Sequence, residues 1–192
     1  MSSLVVSGDT SGSVTLQAPA VAGSSVLTLP VATDTLVGKA TTDALSNKTL
    51  VGVTGGTSAA AGVVGEYIEG TAAALAWPAA SNAYGIASSI ALTAGDWDVS
   101  VVFVGADNGA SWSGIEVGIS TSSGNNNTGM TLGVNWLWQY FSSVATNDYI
   151  SMSIPSYRVS ISGSATYYLK VLAVYTVATP TVSGRISARR VR

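Results

Sequence analysis

Asp96 and Asp98, in "GDWDVSVVFVG", stand two residues apart. On a strand that spacing puts both on one face, about 7 Å apart, within the range of the paired carboxylates that hydrolyse glycosidic bonds. It equally describes two polar residues on a solvent face, with Gly95-Asp96 making the turn that starts the strand. The solvent-face reading is adopted, so no catalytic residue is assigned. Asp107-Asn108 and "NNNT" (125–128) offer hard oxygen ligands. They lack the spaced carboxylates of a calcium loop and read as loop tips, with no metal and no cofactor expected.

The aromatic residues carry a different chemistry. In "NWLWQYF", Trp136, Trp138 and Tyr140 fall on one face of a strand and Leu137, Gln139 and Phe141 on the other. An exposed row of such rings is a sugar-stacking platform, because each ring offers apolar area with a polar edge. The competing reading makes this an internal strand, with one face in a core and the other in a subunit interface. Trp112, among glycines in "GASWSG", is expected in a loop as an exposed glycan or partner contact.

The chain has no Cys and no His. Thiolate zinc sites, disulfides and the usual general base are therefore missing. "GVTGGTSAAAG" (52–62) holds glycines without the Lys-Ser/Thr of a phosphate loop. The expectation is a protein that is not an enzyme.

The elements that must position these residues come from composition and pattern. The sequence is 47% hydrophobic but only 9% charged, against roughly a quarter charged in ordinary domains. Its surface must be Ser, Thr, Asn, Gly and Ala, which suits packing against copies of itself because few ions need desolvating. The opening "MSSLVVSGDT" has neither the basic nor the apolar region of a secretory signal. No run reaches the roughly 18 apolar residues of a membrane span, so synthesis in a cytoplasm without membrane insertion is expected. Net charge is −2, yet Arg185, Arg189, Arg190 and Arg192 gather in the last eight positions. A nucleic-acid arm is weighed and set aside for a solvated or anion-pairing terminus, so no nucleic-acid partner is expected.

Residues 1–50 read as short strands broken by turns such as "SGDTSG", with Val14, Leu16, Val26 and Leu29 as nearly the only sizeable apolar groups in the middle of the segment. So thin a core does not fold alone, so this segment either packs on the rest of the chain or finds its core by association with other copies. "ATTDALSNKTL" (40–50) is a polar knot in which Thr42 caps one helical turn. Leu45 and Leu50 supply its only large side chains. A Gly/Ala-rich neck follows at 51–65, whose small residues suit either a flexible hinge or a close crossing in which three backbones approach one axis.

All five Trp and all eight Tyr lie beyond residue 63. Strand candidates recur there: "IASSIALT", "DWDVSVVFVG", "GIEVGIST", "GMTLGVNWLWQYF", "DYISMSIPS", "YRVSIS", "TYYLKVLAVYTV" and "TVSGRISARRV". Pro155 and Pro180 are expected between strands. "YYLKVLAVYTV" is apolar on both faces except for Lys170, so it is either a central strand or one that sits against another subunit. These strands and the lack of a convincing helix predict an all-β fold, with a jelly-roll-like antiparallel β-sandwich over 66–192.

"SGDTSGSVTLQAPAVAGSSVLTLPVATDTLVGKATTDALSNKTL" resembles the pattern found in tailed-bacteriophage fibre and virion proteins. "GEYIEG", "IALTAGDWDVSVVFVG" and "YYLKVLAVYTVATPTVSGRISARRVR" resemble the C-terminal β-sandwich module of such fibres. The resemblance implies a homotrimer located on the virion, with residues 1–50 as the anchoring and trimerising segment that joins other virion proteins of capsid or tail, and with Val14, Leu16, Leu45 and Leu50 as its trimer and anchor contacts. It implies a short fibre or spike that attaches to host surface glycans. The chain lacks the repeated shaft of a long tail fibre, which makes a capsid-bound head fibre or decoration (cement) protein the competing expectation.

Overall fold

The computed structural model describes residues 3–21, 23–24, 26, 31, 55–77, 79–141 and 149–192. Leu45, Leu50 and the rest of the 40–50 knot lie outside the described residues. The chain divides into two compact units, Met1–Thr49 and Leu50–Arg192.

In the first unit, β1 (Ser3–Ser7) and β2 (Ser13–Gln17) form an antiparallel hairpin. Its turn is closed by the Gly8 N–H donating to the Gly12 carbonyl at 3.0 Å. The register pairs Leu4 with Leu16 and Val6 with Val14, and cross-strand partners share a face. Four apolar side chains therefore line one side of the ribbon, and every strand residue is exposed. A two-stranded hairpin without a core is marginal in water.

The described residues of the second unit form eight strands: β3 (Tyr67–Ala76), β4 (Ala83–Leu92), β5 (Gly95–Ala106), β6 (Ser111–Ser120), β7 (Trp136–Tyr140), β8 (Tyr149–Ile161), β9 (Ala165–Thr176) and β10 (Thr181–Arg190). They make two antiparallel four-stranded sheets, ordered β3-β10-β5-β8 and β4-β9-β6-β7. Among the described residues the fold is all-β, without helix.

One core joins the two sheets. Trp97, Val99, Val101 and Phe103 of β5 point inward, as their alternation predicts, and meet Ile115, Val117 and Ile119 of β6 and Leu169, Val171 and Ala173 of β9. At one end Trp77 packs edge-on against both Phe103 and Trp112, with ring centroids 6.0 Å apart in each case. Gly105 is needed there, because a Cβ at that position would lie 2.6 Å from Trp112 Cη2.

Two strand expectations change. "DYISMSIPS" and "YRVSIS" are a single strand, β8, with Pro155 inside it rather than between strands. The proline is tolerated because β8 is an edge strand and its pairing with β5 shifts register between Val99 and Val101. Within "GMTLGVNWLWQYF" only Trp136–Tyr140 is strand.

Candidate functional site

β7 lies at the edge of its sheet, not inside it. Leu137 and Phe141 pack partly buried against the core, which turns Trp136, Trp138 and Tyr140 to the outer face. Trp138 is 45% exposed and Tyr140 69%. The rings of Trp136 and Trp138 are nearly parallel, 6° apart at a centroid distance of 6.4 Å. Tyr140 follows at 4.7 Å from Trp138, tilted by 42°. The three residues that the sequence put on one face are thus gathered into one continuous aromatic row. Trp136 Nε1 is buried and has no hydrogen-bond partner.

Trp112 does not belong to this row, and the expectation of an exposed loop contact is corrected. It is only 1% exposed, on β6, within the core cluster. Its glycine neighbours were misleading for a physical reason: β6 shifts register between Trp112 and Gly114, so the glycine accompanies a bulge rather than a loop.

Beside the row lie two residues that no motif singled out, Glu116 and Tyr84. Glu116 is paired across strands with Trp138 on one side and Leu172 on the other, and Leu172 is in turn paired with Tyr84. The Tyr84 hydroxyl donates to Glu116 Oε2 in a buried hydrogen bond. Burial, and then this bond to the carboxylate, push the Tyr84 phenol well above its ordinary pKa, so it remains a donor. The sequence did hold one signal: in "GIEVGIS" the glutamate has Gly114 and Gly118 at its same-face neighbours. Between Gly114 and Gly118 the carboxylate is thus the one side chain that β6 itself places on that face.

The loop of residues 121–135 closes the other end of this face. Lys170, fully buried on the central strand β9, donates to the Gly124 carbonyl. Burial lowers its pKa. The amine is thus capped by its own chain, which answers how a lysine fits an otherwise apolar strand. A Cβ on Gly118 would collide with the tip of Met130 from the same loop. Asn135 accepts from Thr131 N–H at 2.7 Å and donates to the carbonyls of Ile119 and Gly129 at 3.1 and 3.0 Å.

Of the two β5 carboxylates, Asp96 is used structurally. Asp96 Oδ2 accepts from Arg158 at 3.0 Å and from Arg192, with its side chain only 6% exposed. The Ser160 hydroxyl first, then the Arg192 and Arg158 guanidinium groups, hold its carboxyl well below the usual carboxylate range. Asp96 is therefore a buried ion-pair partner, not the solvated turn residue expected. Asp107 likewise is no loop tip: it is 1% exposed and its Oδ1 accepts from Gly109 N–H at 3.1 Å within the tight turn after β5. Among the described residues no three acidic, His or Cys side chains cluster as metal ligands would.

Arg185, Arg190 and Arg192 of the C-terminal arginines pair with anions. Arg190 Nε donates to Glu66 Oε2 at 2.9 Å, and its other nitrogens donate to Ala94 O and Thr93 Oγ1, both at 2.6 Å. Its guanidinium carbon lies 4.2 Å from the Trp97 ring centroid, a cation–π contact. Gly95, at φ +142°, is required here, since a Cβ would overlap that guanidinium. Arg185 lies 3.8 Å from Glu69 at the surface.

Comparison of the chain with protein-family models, curated proteins and solved structures returns no match. The functional reading therefore rests on the residues and their arrangement.

Proposed function

We propose that this protein is a non-enzymatic bacteriophage virion component, a short homotrimeric fibre or spike whose head attaches to host surface glycans. The observation that carries the attachment is the exposed aromatic row of Trp136, Trp138 and Tyr140 on the edge strand β7. Stacked rings with open faces are suited to the apolar faces of sugars. The fibre-like motifs of residues 8–50 support the virion origin. The strand orders β3-β10-β5-β8 and β4-β9-β6-β7 support reading the head as a jelly roll, an architecture shared by capsid proteins and lectins. That likeness bears on fold and not on ligand. The apolar face of Leu4, Val6, Val14 and Leu16 supports association through the N-terminal unit, because a hairpin needs a partner to bury it. The deployment of Asp96 in ion pairs supports the absence of hydrolytic chemistry.

The test is a glycan array probed with the full chain and with Trp138→Ala. Glycan binding is expected for the first and a loss of about tenfold or more for the second, with the unfolding midpoint hardly changed because the ring is a surface group. Absence of glycan binding by the intact protein would favour a capsid decoration protein instead.

A further inference from the structure

The aromatic row explains why a sugar would stack on this edge but not which sugars. We infer that Glu116 makes the edge selective for neutral, hydroxyl-rich glycans over acidic ones. This rests on the attachment reading above. Glu116 is 9% exposed, yet it has no cationic partner among the described residues. The nearest lysine in the register, Lys170, is occupied by the Gly124 carbonyl. One carboxylate oxygen receives the Tyr84 hydroxyl; the other, Oε1, has no hydrogen-bond partner among the described residues.

That oxygen is not fully buried, so it is an acceptor open to a donor from outside the chain. The neighbours suggest the nature of that donor. Trp138, half exposed, is the cross-strand partner of Glu116, so an acceptor is next to a stacking ring. On the same face of β6, Gly114 and Gly118 contribute no side chains, and the space over them is taken by Tyr140 and Met130. An ionised carboxylate only accepts. It therefore complements the hydroxyl groups of a hexose stacked on Trp138, and it repels a carboxylated sugar brought to the same place. Tyr84 is a positioning residue: its hydroxyl fixes Oε2, which leaves Oε1 for the ligand.

The experiment measures binding of the full chain to immobilised neutral polymers of glucose, galactose and mannose. The same assay is run with polymers of galacturonic acid and of sialic acid, and repeated for Glu116→Gln and Trp138→Ala. Wild type is expected to bind at least one neutral polymer, with acidic polymers at least about tenfold weaker. Glu116→Gln should lose about tenfold or more on the neutral polymer, the scale of a hydrogen bond to a charged group, and should narrow the gap to acidic polymers. Binding that requires Trp138 but is unchanged in Glu116→Gln would overturn this inference alone. A wild-type preference for acidic polymers would also overturn it, and needs no variant to fold. If no polymer binds, or if binding survives Trp138→Ala, the attachment reading itself falls and this inference with it.

Discussion

Arg190 and Asp96 hold the chain's last residues to the start of β5 and to the segment before β3. Breaking a buried pair such as Glu66–Arg190 by removing one partner costs about 3–5 kcal/mol, so these charges belong to the fold. Asp96 also sets an acid limit. Its carboxyl titrates lower in the folded protein than in the unfolded chain, where a value near 3.9 is ordinary. Unfolded Asp96 therefore takes up a proton first as pH falls. The stability it contributes is complete above the unfolded value and is lost as pH drops through the folded one. Urea midpoints measured at pH 7 and pH 3 should fall further for wild type than for Asp96→Asn; equal falls would contradict the ion-pair assignment. The aromatic side chains were half legible at this scale. Trp138 could be placed by alternation, whereas Trp112 could not, because a glycine at a bulge looks the same in sequence as a glycine in a loop. Glu116 escaped because its meaning lies in its cross-strand partner Trp138, and pairing is not written along the chain.

The elements followed their patterns where side chains alternate strongly and departed where they do not. β5 alternates large apolar with polar groups and was legible residue by residue. β3, "YIEGTAAALA", was not marked as a strand, since Ala and Gly have little β propensity. It is held instead by pairing with β10, and its Gly70 lies where a Cβ would strike the Ser89 backbone. Pro155 was read as a break because a central strand would not accept it, and only the edge position of β8 resolves that. The loop of residues 121–135 is a further case, because its polar composition hides a folded strap. Asn135, 3% exposed, joins three backbone groups in it. Asn135→Ala leaves the Thr131 N–H and two carbonyls without that partner and should cost about 1–3 kcal/mol. Hydrogen exchange should rise in residues 121–135 while β5 amides stay protected. An unchanged denaturation midpoint would show that the strap is held by other means.

For the whole molecule, composition told most about surface and least about assembly. A chain with 9% charged residues has few surface ions to desolvate, and the exposed hairpin face of Leu4, Val6, Val14 and Leu16 carries none. The antiparallel all-β head was legible because turns and apolar runs recur at regular spacing. The order of strands within each sheet was not, because it is set by packing between distant segments. The partner proposed for the hairpin was beyond reach for a related reason: an exposed apolar face carries no record of what would cover it. We propose that three copies associate through the N-terminal unit and present the β7 edges to the host. An electron cryomicroscopy map of the virion tests that most directly. It should contain threefold density for this chain, with residues 1–50 at the particle and Trp138 facing solvent. Density without threefold symmetry, or a Trp138 edge sealed against the capsid, would contradict it.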